Sequence, residues 1–315
     1  MAHEVESMMY VGDVPWHGLG TPLANVATSE EAIKAAGLDW EVNLIPVYVG
    51  GKQVEGFNAI QRVTDKKVYG IVRNRYTPVQ NATAFEFFDS VVGGKKAVYH
   101  TAGSLREGAR TWILAKLTDN IGIAGEQVDK YITLTNSHDG SLALQMFWTP
   151  IRVVCMNTLH MALGNIVGKV FYAKHTPRFM GKVSDAQEVL GLANSFFTKW
   201  TEEAQYLATH QLTAGQLAPV FNVAFGYAPV TPMEEVYKPI QREMVMVRRL
   251  VNEGRGMDNP KIQGTKWQAY NAIAEYVDYY KPTKSKKEGA KLNSAWFGSG
   301  MNMKQRTWDY LLNTD

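Results

Sequence analysis

The chain has one cysteine, Cys155, in 315 residues, which excludes an intrachain disulfide. Val153, Val154 and Met156 beside it suggest a buried, inert thiol and a reducing interior. No run approaches the ~20 consecutive apolar residues needed to span a bilayer, so no membrane partner is expected. The seven histidines are scattered and none lies four residues from another. Ligand spacing for a metal is missing, and neither a metal nor another cofactor is expected. Gly50-Gly51-Lys52 and Gly93-Gly94-Lys95-Lys96 lack the spacing of a phosphate loop and read instead as a hairpin turn and a helix stop. Ser137-His138-Asp139 has the letters of a catalytic triad, but three consecutive residues in a turn cannot converge as a triad does. Asp and Ser occur there for backbone reasons. No catalytic motif emerges. The segment Met-Ala-His-Glu-Val-Glu lacks the apolar centre of a signal peptide, and a cytoplasmic protein is the expectation.

What is present is a globular composition, 45% hydrophobic and 20% charged, in a length suited to one large domain or two ordinary ones. The net charge of +3 is uneven. Residues 238–315 hold 14 Lys and Arg against 8 Asp and Glu, a net of +6, and the remainder of the chain is −3. The surplus includes Lys281, Lys284, Lys286, Lys287 and Lys291, which suits either a polyanion partner or a solvated linker.

Element signals divide the chain. The first 39 residues look mostly irregular apart from a short helix opened by Ser29-Glu30-Glu31, with Thr28 or Ser29 as cap. Strand patterns then occupy 40–49, 56–63 and 67–73. A helix over 81–92 follows, spacing Phe85, Phe88, Val91 and Val92 along one face. Strands over 97–103 and 110–117 flank a turn at Arg106–Ala109, and strands over 131–136 and 142–149 flank the hairpin dipeptide Asp139-Gly140. A helix after Pro150, over 153–163, and a strand over 169–175 complete this part. Beyond it 182–209, 213–224, 232–253, 265–280 and 301–313 favour helix. Trp267, Tyr270, Ala274 and Val277 form an apolar stripe on an amphipathic helix there. The expected architecture is α+β: an antiparallel meander and hairpin core with packed helices over 1–178, then a mainly helical region over 179–315 with a basic flexible segment at 281–291. Thr176-Pro177-Arg178 marks the cut.

One combination points to function. Arginines and aromatics interleave along the strands: Arg62, Tyr69, Arg73, Arg75 and Tyr76; Arg106, Arg110 and Trp112; Phe147, Trp148 and Arg152. Single-stranded nucleic acid is held by cations that follow phosphates and by rings beneath bases. On this basis Arg73, Arg75, Arg110 and Arg152 are expected to neutralise phosphates. Tyr76, Trp112 and Trp148 are expected to stack bases or shape the groove, and Asn74, Gln80 and Asn157 to bond the nucleic-acid backbone or fix the loop. Two rivals are an interaction protein that binds a host or phage partner through its aromatic helices, and a nucleotide-related enzyme using His138 and Asp139.

The landmarks Val14-Pro15-Trp16-His17-Gly18-Leu19-Gly20-Thr21-Pro22, Tyr76-Thr77-Pro78-Val79-Gln80-Asn81, Thr101-Ala102-Gly103-Ser104-Leu105, Leu134-Thr135-Asn136-Ser137-His138-Asp139-Gly140, Pro150–Leu159 and Tyr270-Asn271-Ala272 with Glu275-Tyr276 resemble a family of bacteriophage and plasmid proteins classed as a domain of unknown function. The resemblance implies a mobile-element origin and a host bacterial cytoplasm, and carries no catalytic residues over. The order strand–strand–strand–helix followed by hairpins is similar to the core of the single-strand annealing proteins RecT, Erf and Red-beta. That likeness implies annealing of single-stranded DNA in recombination or replication without nucleotide hydrolysis, assembly into a homo-oligomeric ring or filament, and a phage exonuclease or host single-strand-binding protein as partner.

Overall fold

The computed structural model describes residues 5–12, 20–23, 28–92, 97–152, 157–158, 171–176, 185–283, 294–295 and 298–314. The fold is α+β, with helices concentrated in the carboxy-terminal part. Chain contacts divide it into two compact units built from discontinuous stretches. The first takes Met1–Thr118, Tyr131–Trp148 and Val167–Asn194; the second takes Asp119–Lys130, Thr149–Ile166 and Ser195–Asp315. The cut expected near 178 lies outside the described residues, as does the basic segment from residue 284 to 291.

Strands β1 (Val5–Val11), β2 (Thr21–Leu23), β6 (Ala97–Leu105), β7 (Arg110–Ile123), β8 (Glu126–Ser137), β9 (Leu144–Arg152) and β10 (Asn157–Thr158) form one sheet in the order β10-β9-β8-β7-β6-β1-β2, with β11 (Phe171–Ala173) also paired to β9. β1 corrects the expectation of an irregular start. Its residues Met8, Met9, Tyr10 and Val11 are all buried. Pairing with β6 on one side and β2 on the other places them in the interior. Gly103 lets this happen, because a Cβ there would stand 2.5 Å from both Ser7 O and the Trp112 ring.

The second sheet of the first unit has three strands: β3 (Val42–Val49), β4 (Lys52–Arg62) and β5 (Val68–Arg73), in that order. Gly50 and Gly51 connect β3 to β4 with positive φ at both positions, as a two-residue hairpin requires. Helix α1 (Ser29–Ala35) starts at a capping box: Glu31 N–H donates to Thr28 Oγ1 at 3.2 Å and Thr28 N–H donates to Glu31 Oε2 at 2.9 Å. Helix α2 (Asn81–Val92) buries Phe85, Phe87 and Phe88, the first and last against Tyr99 of β6.

Two expectations near β9 are corrected. Pro150 does not end the strand but lies inside it. It falls between the stretch paired with β11, residues 144–146, and the stretch paired with β10, residues 151–152, where a missing N–H costs no ladder bond on that side. The helix expected over 153–163 lies mostly outside the described residues. The two that are described, Asn157 and Thr158, are extended and pair with Arg152 and Ile151.

The second unit gathers the end of α3 (Asp185–Thr209) with α4 (Ala214–Phe225), α5 (Lys238–Glu253), α6 (Lys266–Glu275) and α7 (Ser299–Leu312). The amphipathic stripe expected on α6 is corrected too: all ten residues of this helix are buried. Trp200, Trp267, Tyr270 and Trp308 pack in one aromatic cluster around it, with Trp200 and Trp308 stacked at 5.7 Å. Several polar groups of α6 find partners inside. Gln268 Nε2 donates to Val251 O at 2.7 Å, Asn271 Nδ2 to Trp267 O at 2.8 Å, and Glu275 accepts Arg255 N–H at 2.9 Å. The sequence stripe was real but narrower than the buried surface, because polar positions with internal partners can also go inside.

Candidate nucleic-acid interface

The three-stranded sheet presents one face to the protein and one to solvent. Register rows settle which residues share a face, since Cα partners in a ladder project to the same side. Ile60 and Gly70 are partners, and they face inward. Ile60 is fully buried, and a Cβ on Gly70 would lie 2.7 Å from Asp139 O of the β8–β9 loop. Ile45, Ala59 and Ile71 form the neighbouring row and Phe57 pairs with Arg73, so these side chains lie on the opposite face. There Ile71 is 60% and Phe57 38% exposed. The Arg73 guanidinium carbon sits 5.9 Å from the Phe57 ring centroid, a cation–π contact open to solvent.

β5 ends in a turn in which Tyr76 N–H donates to Arg73 O at 2.9 Å. Arg73, Asn74 and Arg75 are exposed on this turn, and Asn58 Nδ2 lies 3.5 Å from Asn74 Oδ1. The span 41–75 carries six Lys or Arg against three Asp or Glu. One of those cations is structural. Arg62 is buried, bidentate to Asp65 at 2.9 and 2.6 Å, bonded to Glu6 at 2.8 Å and set over the Trp40 ring at 5.1 Å. Its guanidinium, with a backbone N–H from Lys67, holds the Asp65 carboxyl well below the usual range.

The other sequence-derived candidates are placed differently. Tyr76 and Gln80 turn inward. Tyr76 Oη donates to Ser137 O at 3.2 Å and its ring stacks on His175 at 4.7 Å. The Gln80 amide accepts Val42 N–H at 3.0 Å and donates to Val42 O at 2.8 Å, as a neighbouring strand would. Trp112 and Trp148 are each 3% exposed, so neither offers a ring face to a base. Trp112 lies against Gly103, its register partner on β6, and its indole N–H donates to Thr101 Oγ1 at 3.3 Å. Arg110 is half-buried and bonds Ser141 Oγ at 3.2 Å. Arg152 and Asn157 meet as backbone partners of β9 and β10 in the second unit. Of the ten candidates, Arg73, Asn74 and Arg75 therefore form one exposed group. Phe57, which sequence reasoning passed over, supplies its aromatic ring; the available signal was its position opposite Arg73.

Beneath the outer face lies a buried polar node that joins two sequence landmarks. The segment 76–81 and the end of β8 are linked by Tyr76 to Ser137, by Asn136 Nδ2 to Val79 O at 3.0 Å, and by His138 Nε2 to Asn81 Oδ1 at 2.9 Å. Asn81 Nδ2 donates to Leu38 O and Trp40 O, which leaves Oδ1 as the acceptor. His138 therefore carries its proton on Nε2, and its Nδ1 is buried without a partner. Burial pushes His138 down to about 3, with His175 adding a smaller push, and burial pushes His175 down to about 4. Ser137 Oγ is engaged with Leu142 O and Leu142 N, both at 2.9 Å, and not with His138. The triad-like letters thus build a loop around Asp139, whose Oδ1 accepts Ser141 N–H at 2.8 Å. Among the described residues no three His, Cys, Asp or Glu cluster as a metal site would need, and no helix is long and apolar enough to cross a membrane.

A family model described as a domain of unknown function, DUF932, matches residues 68–296. Comparison with curated proteins and comparison with solved structures each gave no match.

Proposed function

Since the chain belongs to the DUF932 family, whose function is unknown, we propose its function from geometry: it binds single-stranded nucleic acid on the outer face of the β3-β4-β5 sheet. The observation that carries this is the exposed Arg73 over the exposed Phe57, with Asn74 and Arg75 following on the turn and no acid on it. Arg73 and Arg75 neutralise successive phosphates while Phe57 and Ile71 provide a flat apolar surface for bases. Asn74 offers a hydrogen bond to sugar or phosphate. Trp112 and Trp148 serve the fold and take no part. The resemblance to single-strand annealing proteins extends the proposal to annealing in the recombination or replication of a phage or plasmid, with assembly into a homo-oligomer and a phage exonuclease or host single-strand-binding protein as partner.

A fluorescence-anisotropy titration of a labelled oligonucleotide at several salt concentrations tests it. Each phosphate contact contributes a log–log slope of about −0.7. The double variant Arg73→Ala/Arg75→Ala is expected to make the slope shallower by about 1.4. Phe57→Ala is expected to weaken binding by about tenfold with little change in slope, as loss of one stacking contact of ~1–3 kcal/mol implies. Absence of binding at low salt overturns the proposal.

A further inference from the structure

Strand β5 carries an exposed apolar band on the outer face, and a register shift produces it. Ile60 pairs with Gly70 but Gln61 with Val68, which leaves Tyr69 as an extra residue on β5. Tyr69 faces inward beside Gly70, its ring centroid 6.1 Å from that of Trp40 and 6.2 Å from that of His138. Val68 and Ile71 are left on the outer side with Phe57, and Val68 is 51% exposed. The strand, Val-Tyr-Gly-Ile-Val-Arg, contains no acid. From Val68 to Arg73 it spans roughly 17 Å, at about 3.3 Å per residue.

Arg73, Asn74 and Arg75 close one end of this band. The other end is the β4–β5 turn, and the β6–β7 turn lies against it. A Cβ on Gly108 would collide with Tyr69 Oη and stand 2.9 Å from Arg62 Nη1, and Lys67 pairs with Glu107 between the two turns. Each turn exposes a cation on left-handed backbone, Lys66 at φ 62° and Arg106 at φ 54°. Glycine or asparagine is the usual residue in that region, so a long branchless or guanidinium side chain there costs stability. Strain retained at two cations in neighbouring turns points to a use for their charge. The acids nearby are engaged: Asp65 and Glu6 by Arg62, and Glu107 by Lys67.

We infer that Lys66 and Arg106 are further phosphate-binding residues of the same site. A single strand then lies along β5, its phosphates held at both ends and its bases over Val68, Ile71 and Phe57. This rests on the reading of the outer face as a nucleic-acid surface, and adds to it a path and a length. About five nucleotides cover the band at the 3.4 Å rise of a stacked strand, and fewer when the strand is stretched. A trinucleotide, with two phosphates one step apart, reaches one end only. It takes the end with Arg73 and Arg75, where Phe57 supplies the ring.

Anisotropy titrations with labelled oligothymidylates of three and twelve nucleotides are the test. Lys66→Asn/Arg106→Asn removes both charges and suits the backbone, so the thermal midpoint is expected at or above that of wild type, which separates loss of binding from loss of fold. On the longer oligonucleotide this variant is expected to make the log–log salt slope shallower by about 1.4, from two contacts of about 0.7 each. Its affinity for the trinucleotide at low salt is expected to stay within about twofold of wild type, whereas Arg73→Ala/Arg75→Ala weakens both ligands. The charge-preserving variant Lys66→Arg/Arg106→Lys is expected to keep the wild-type slope. An unchanged slope in the asparagine variant overturns the inference, as does an equal loss of slope in the charge-preserving one, or a trinucleotide weakened as much as the longer ligand. Those results leave binding on the outer face standing; failure of wild type to bind either oligonucleotide overturns that reading and this inference together.

Discussion

Acidification should destabilise the first unit well before its carboxylates titrate, and the cause is the pair His138 and His175. Both imidazoles are buried, and burial lowers them to about 3 and about 4. In the unfolded chain both return to about 6.5. Between these values the unfolded chain takes up protons that the folded chain refuses. Stability is therefore complete above pH 6.5 and falls as the pH drops toward the folded values. One unit of pKa difference corresponds to about 1.4 kcal/mol, so at pH 5 each histidine costs about 2 kcal/mol and the pair about 4. For a unit of this size that lowers the thermal midpoint by roughly 10 °C. Differential scanning fluorimetry at constant ionic strength between pH 7.5 and 5 measures it. His138→Gln removes one titrating group and is expected to halve the slope of midpoint against pH, whatever its effect at neutral pH. A midpoint that is flat over this range, or the same slope in the variant, would refute the assignment of these histidines as buried and neutral.

Two substitutions separate structural from binding roles. Gln80→Ala removes both bonds to Val42 and is expected to cost about 1–3 kcal/mol in urea unfolding, with oligonucleotide affinity unchanged; a selective loss of affinity would return Gln80 to the interface. Gly103→Ala places a Cβ 2.5 Å from Ser7 O and from the Trp112 ring. It is expected to cost at least 1–3 kcal/mol and to alter near-ultraviolet circular dichroism from Trp112, whereas wild-type stability would show that β1 does not pack on β6 as described.

Much of the fold was legible because its signals were local. Thr28 with Glu31 marked a cap, Gly50-Gly51 and Asp139-Gly140 marked hairpin loops, and apolar periodicity marked α2 and the carboxy-terminal helices. β1 was not legible. Val-Glu-Ser-Met-Met-Tyr-Val alternates poorly, and its burial comes from partners about 90 residues away. β7 and β8 extend far beyond the segments read at 110–117 and 131–136. They meet at Ala124-Gly125, both with positive φ, where only Gly125 hinted at a turn.

At the interface the chemistry was legible and its orientation was not. Arg73-Asn74-Arg75 ends a strand and is exposed, as its position suggested. Tyr76 is adjacent in sequence but turns onto His175 and Ser137. Trp112 went inside where Gly103 makes room for its ring, and Trp148 is buried as well. Phe57 was overlooked because irregular pairing within β4 obscures its alternation, and only the register with Arg73 reveals its side.

Ultraviolet crosslinking of bound oligothymidylate, followed by mass spectrometry of the tryptic peptides, examines the site without assuming which residues matter. Adducts concentrated on the peptide that contains Phe57, and lost in Arg73→Ala/Arg75→Ala, are the expected result. Adducts confined to the cationic helix Lys238–Glu253, or spread evenly over the chain, would contradict recognition by the open side of the small sheet.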